Sequence, residues 1–131
     1  LSFYDEMTKH MIKLKEKTNI ILCGDMNIAH EAIDLARPKE NEKSIGFLPV
    51  ERERITKFLN SGFTDTFRMF VKENGHYSWW DMKTRSREKN VGWRIDYFFV
   101  NNEISNNIKR ADILTDVLGS DHCPILIEWD R

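Results

Sequence analysis

The sequence holds little cysteine, almost no net charge and no long apolar run, and each shortage excludes a class of protein. Only Cys23 and Cys123 occur, each beside an apolar run and in no repeated spacing, which excludes a disulfide framework. Adding the four histidines does not make a zinc site, because no pair has the spacing of a structural ligand set. Twenty basic side chains stand against twenty-one acidic ones, a formal charge of −1, so no global basic field holds this chain to a polyanion. No apolar stretch approaches bilayer-spanning length and no signal-peptide succession is present, so no membrane contact is expected and an intracellular, reducing compartment, cytoplasm or nucleus, fits best. Repeats, low-complexity stretches and linker composition are missing too, so residues 1–131 read as one domain with a core of moderate size. The first residue is Leu1, inside what reads as a helix already under way, and further residues are expected upstream.

The apolar periodicity predicts a mixed α/β chain. Phe3, Met7, His10, Met11 and Leu14 recur at helical spacing, predicting a helix to about Lys17. Ile20-Ile21-Leu22 is continuously apolar, which suits a strand covered on both faces. From Asn27 to Gly46 the chain is rich in charge and poor in period, so a long surface loop is expected, with one helical turn near Glu31 to Leu35. Pro49 opens a second helix that Gly62 stops. Phe63 to Val71 reads equally as a short helix or an irregular segment, and Asp112 to Leu118 stays unassigned. Strands are expected over His76 to Trp80, over Arg94 to Val100 and after Pro124, with a polar loop from Lys83 to Asn90.

Four short segments carry chemistry. Asp25 and Asn27 stand two apart at the end of the first strand and can face one water or phosphate oxygen, although Gly-Asp and Asn are also ordinary turn residues. Asp96 interrupts an aromatic strand, and a carboxylate left unpaired there would cost on the order of 5 kcal/mol, so it needs a partner. His122 is the natural candidate: an imidazole that donates one nitrogen to a carboxylate presents the other in a fixed tautomer. A lone histidine at a strand start is ordinarily structural, and Asp121 beside it shifts that balance. Asp121 and His122, being adjacent on an extended chain, point to opposite sides and serve different partners. From Lys83 to Arg94, five basic residues (Lys83, Arg85, Arg87, Lys89 and Arg94) face the single acid Glu88, with Trp79, Trp80 and Trp93 alongside. Cations beside flat aromatic walls are the composition of a nucleic-acid groove, against the plain alternative of a solvated loop over core tryptophans.

Taken in order, Ile21-Leu22-Cys23-Gly24-Asp25-Met26-Asn27-Ile28-Ala29-His30, Ile33-Asp34-Leu35, Pro38-Lys39, Gly46-Phe47, Lys89-Asn90-Val91-Gly92-Trp93-Arg94-Ile95-Asp96-Tyr97-Phe98 and Gly119-Ser120-Asp121-His122-Cys123-Pro124 resemble the exonuclease III-type apurinic/apyrimidinic endonucleases of the endonuclease/exonuclease/phosphatase superfamily. The resemblance spans nearly the whole chain but matches the second half of that domain only. It implies half of a four-layered α/β sandwich, a two-sheet core flanked by helices, with 1–131 as the C-terminal part and the N-terminal half absent.

The implied reaction is hydrolysis of the DNA backbone 5′ to an abasic site, with 3′-5′ exonuclease or 3′-phosphodiesterase activity as a further expectation. By the resemblance, Asp25 orients or deprotonates water, Asn27 binds the scissile phosphate, His122 held by Asp96 stabilises its charge, and Asp121 lies near magnesium or manganese. Trp79, Trp93 and Ile95 are implied walls of the pocket for a base-less sugar, and Asn41, Asn90, Lys83 and Arg85 implied DNA contacts. The expected partner is double-stranded DNA with abasic sites, and the full-length protein is expected to be a monomer. The principal metal ligands are expected in the first half, so the chain alone is expected to be inactive or nearly so. The rivals are a relative acting on a phosphoinositide, a phospholipid head group or undamaged DNA, and a non-catalytic DNA-binding module.

Overall fold

Ile55 and Phe58, a turn apart on one helix, and Phe63, Tyr97 and Phe99 beyond it form the centre of the main core, which orders everything around it. The structure is a computed structural model that describes residues 2–131, so Leu1 lies outside the described residues. Helix α1 (Ser2–Lys15) lays Tyr4, Met7, Met11 and Leu14 on this core. The expected stripe holds at Met7, Met11 and Leu14 but not at its other two members: Phe3 is 66% exposed and His10 is also exposed, while Tyr4 turns inward and its hydroxyl donates to the Met26 carbonyl. Helix α2 (Pro49–Asn60) starts on proline, whose missing N–H is no loss at that position.

A three-stranded antiparallel sheet, order β1-β5-β2, lies under these helices, with β1 at Ile21–Asp25, β2 at Phe63–Asp65 and β5 at Asp96–Asn101. Strand β1 is not covered on both faces among the described residues. Leu22 packs on the core, whereas Ile21, Cys23 and Asp25 alternate to an open face. The stretch Phe63 to Val71, read as a short helix or an irregular segment, holds a strand that neither reading included, β2, and then a short helix α3 (Thr66–Phe70). Two further antiparallel pairs complete the chain, β3 (Trp79–Trp80) with β4 (Gly92–Trp93) and β6 (Ile108–Ile113) with β7 (Ile125–Trp129). Strand β3 covers only the end of the predicted 76–80 strand, and β5 begins two residues after Arg94.

The segment between β1 and α2 is the largest departure. It makes two short 3₁₀ turns, Ala32–Asp34 and Lys39–Asn41, and buries Ile28, Ala29, Asp34, Leu35 and Phe47 to within 2% exposure. The turn at Ala32–Asp34 falls where one helical turn was expected, but no apolar period announces the burial, because turns of three residues are too short to show one. Helices packed on antiparallel sheets are the α/β class that the sequence predicts.

Candidate active site

Antiparallel register brings the first two carboxylates together, because the last pair of the β1–β5 ladder is Asp25 opposite Asp96. Asp25 then fixes its own turn: its Oδ1 accepts from the Asn27 N–H at 2.8 Å, and Asn27 sits in left-handed backbone at φ 55°. That conformation costs roughly 1 kcal/mol for a residue with a Cβ, least for Asn and Asp.

His122 arrives from the other side of the chain. Trp79 and His122 form an isolated antiparallel bridge, the Trp80 N–H donates to the Asp121 carbonyl (3.1 Å), and the Cys123 N–H donates to the Ser78 carbonyl (2.9 Å). Ser78, fully buried, also accepts through Oγ from the N–H groups of Ile95 (3.1 Å) and Asp96 (3.2 Å). One serine thus ties the strand of Asp96 to the segment of His122.

The result is a compact group. His122 Nδ1 lies 2.8 Å from Asp96 Oδ2, and its Nε2 lies 3.7 Å from Asp25 Oδ2. Burial works to lower the His122 pKa, but the hydrogen bond to Asp96 and the charges of Asp96, Asp25 and Asp121 outweigh it and raise the value above the ordinary one. The imidazolium is therefore favoured more than in a free histidine. Asp25, Asp96 and His122 also each offer a ligand atom within 4.8 Å of one another, enough to approach one cation. Beside them Asn27, Ile45, Gly46, Trp79, Trp93, Ile95 and His122 line a cavity of about 390 Å³. Gly46, at φ +100°, permits that wall: a Cβ there would meet Trp93 Cζ3 at 3.0 Å.

The remaining predicted residues lie elsewhere. Asp121 accepts from Trp79 Nε1 (3.0 Å) and Ser120 Oγ (3.3 Å), and the Trp79 hydrogen bond holds its carboxyl below the usual range, but it stands outside the group of three. Asn41 uses its amide inside its own turn, donating to the Arg37 carbonyl (2.8 Å) and accepting from Ser44 Oγ (3.0 Å). Asn90 accepts from Trp80 Nε1 (3.0 Å) and donates to the Gly75 carbonyl (3.1 Å), so both ends of its amide are engaged. Lys83 and Arg85 are exposed on the turn after β3, with Arg85 paired to Glu88 at 2.7 Å.

Two residues of the basic stretch do not offer a free guanidinium to a surface groove. Arg94 is 1% exposed; its Nε reaches Asp34 Oδ1 at 2.7 Å, its Nη1 reaches Asp65 Oδ1 at 3.1 Å, and its Nη2 pairs with Asp65 Oδ2. Burial opposes its charge, but the carboxylates of Asp65 and Asp34 outweigh that and raise its pKa. Arg87 is turned onto main-chain carbonyls. The sequence did signal Asp34, a carboxylate between Ile33 and Leu35, while Ser78 carried no signal.

Residues 9–122 match the endonuclease/exonuclease/phosphatase family. The chain is 44% identical over 126 residues to an exodeoxyribonuclease of Bacillus subtilis (strain 168), covering 95% of this chain and 50% of that protein. It is 45% identical over 123 residues to a DNA-(apurinic or apyrimidinic site) endonuclease of Dictyostelium discoideum, covering 92% of this chain and 34% of that one. Among solved structures, a 3′ phosphatase from Neisseria bound to a product DNA hairpin superposes with a TM-score of 0.93 at 26% identity, over 99% of this chain and 52% of its own. The chain spans half or less of the length of these curated relatives. With this sequence match and this overlay on the geometry above, the chain belongs to the endonuclease/exonuclease/phosphatase family.

Proposed function

We propose that this chain supplies the phosphate-binding half of a DNA-repair phosphodiesterase that cuts the backbone of double-stranded DNA 5′ to an abasic site. The observation that carries it is the convergence of Asp25, Asp96 and His122 at the rim of a cavity walled by Trp79, Trp93 and Ile95. The apolar walls take up a base-less sugar more readily than a sugar that carries its base, a physical route to selectivity. With Asp96 holding Nδ1, the other nitrogen of the His122 imidazolium faces Asp25 and neutralises an oxygen of the scissile phosphate. Asp25 orients or deprotonates the attacking water, and the Asn27 side-chain amide donates to the same phosphate.

A divalent cation, magnesium or manganese, would add charge neutralisation at the developing oxyanion. A hard cation asks for a near-octahedral set of oxygens, and only Asp25 and Asp96 bring carboxylates to the group, with Asp96 Oδ2 already bonded to the imidazole. Asp121 would bind only from outside that group. These residues fit such an ion in part and hold it weakly by themselves, so the 131-residue polypeptide incises poorly alone.

The decisive experiment is an incision assay on duplex DNA carrying one stable abasic analogue, with magnesium, using the full-length gene product. Cleavage 5′ to the lesion with intact DNA left uncut is expected, and equal cutting of both duplexes would overturn the proposal. A 3′-phosphate primer-template in the same assay reads any 3′-end activity, the property that the name of the Neisseria protein carries.

A further inference from the structure

The turn Asp81–Asn90 and the loop Thr115–Ser120 face each other across a cleft of about 390 Å³, lined from both sides. Among the described residues no backbone hydrogen bond joins them. Arg87 does. Its Nη2 donates to the carbonyls of Thr115 (2.8 Å) and Val117 (2.9 Å), its Nη1 donates to the carbonyl of Ser120 (3.3 Å), and its guanidinium carbon stands 4.4 Å over the Trp80 ring. Three of its five N–H donors are thus engaged and one face is stacked, which leaves little of the fork for a phosphate.

The loop it holds is the one that delivers the chemistry. Residues 115–120 are all exposed, and the loop's backbone bonds are few and sit at its start, from the Thr115 N–H to the Ile113 carbonyl (3.0 Å) and from the Val117 N–H to the Leu114 carbonyl (3.1 Å). Ser120 lies directly before Asp121, and its Oγ accepts from the His122 N–H at 3.1 Å. Trp80, under the guanidinium, donates its own N–H to the Asp121 carbonyl. Arg87 and Trp80 therefore grip the approach to Asp121 and His122 from two sides.

We infer that Arg87 is a positioning residue and not a DNA contact: it pins loop Thr115–Ser120 so that His122 stays in register with Asp96 and Asp25. This inference rests on the proposed role of His122, and its test separates the two. In the full-length gene product, Arg87→Ala and Arg87→Lys are compared with Lys83→Ala in steady-state incision of abasic duplex and in DNA binding from low to moderate salt. Both Arg87 variants should lose at least tenfold in kcat with KM within about threefold of the parent, because an ammonium cannot bridge three carbonyls and stack. Their salt slope should match the parent, whereas removing a phosphate contact at Lys83 should lower it by about one.

Hydrogen exchange on the 131-residue chain, which needs no activity, should show the amides of 117–122 exchanging at least tenfold faster in Arg87→Ala while β6 stays protected. A folded Arg87→Ala with unchanged kcat, a slope lowered in Arg87→Ala and restored in Arg87→Lys, or unchanged exchange in the loop would each overturn the inference. A parent protein that cuts no abasic DNA would instead sink the proposed function, with the exchange result still deciding on Arg87.

Discussion

The connections Met26–Leu48 and Asp81–Asn90 are both long and rich in charge, yet they are held in opposite ways. The first is drawn into the interior around Asp34, whose carboxylate accepts from Arg94 and, at 2.6 Å, from Arg68. It is closed at its far end by the Ala29 N–H donating to the Gly46 carbonyl (2.8 Å). The second buries only Ser86 and meets the opposing loop through one guanidinium. A binding wall needs fixed shape, which a buried ionic hub supplies. A surface that meets phosphates needs charges in water, and only a light tether is compatible with that.

The sharpest way to break this contrast is Arg94→Ala. It leaves Asp34 and Asp65 buried without their main counter-charge, and a loss of about 3–5 kcal/mol is expected in urea unfolding of the chain. A loss below 1 kcal/mol would show that the hub is not what orders the first segment. Next in size is the effect on the proposed chemistry. His122→Ala or Asp25→Asn in the full-length gene product should reduce incision by about 10²–10⁴-fold while sparing DNA binding; full turnover in either variant removes that residue from the mechanism.

Gly46→Ala sharpens the comparison within the wall itself. At φ +100°, with a Cβ 3.0 Å from the Trp93 ring, it should cost roughly 1–2 kcal/mol and weaken binding of an abasic duplex more than of an intact one. Equal weakening of both would detach Gly46 from the cavity.

The smallest effect is on pH dependence. The folded pKa of His122 is raised, so its contribution to stability is full below about pH 6.5 and declines as pH rises through the folded value. Asp96→Asn removes a raising partner, so the decline in stability above about pH 6.5 should flatten, and the imidazole resonance of His122 should titrate at lower pH. A titration midpoint unchanged in Asp96→Asn would deny the pairing.

Asp96 could be found in the sequence because it interrupts an apolar strand, where a carboxylate needs a partner, whereas Asp25 and His122, each with an ordinary structural reading alone, stood out only through their motifs taken in order. The fate of the arginines could not be found there. Arg87 and Arg94 belong to one basic run, and composition counts their charges alike, although one is clamped to carbonyls and the other is sealed beneath Tyr97, with its guanidinium carbon 4.6 Å from that ring. Burial of an ion pair is decided by residues distant in sequence, here Asp34 and Asp65. Strand β6 was obscured for a simpler reason, since Lys109, Arg110 and Asp112 leave apolar residues mainly at its ends. In α1 the apolar period placed Met7, Met11 and Leu14 but missed Tyr4, an amphipathic residue that purely apolar periodicity passes over.

The alternation along β1 has a practical consequence. Cys23 shares its open side with Asp25 two positions later, while Cys123, the other thiol, is buried. A maleimide dye on this chain would therefore attach at one place, next to the proposed reaction centre, and its emission would report whatever arrives at Asp25 without any engineered label site.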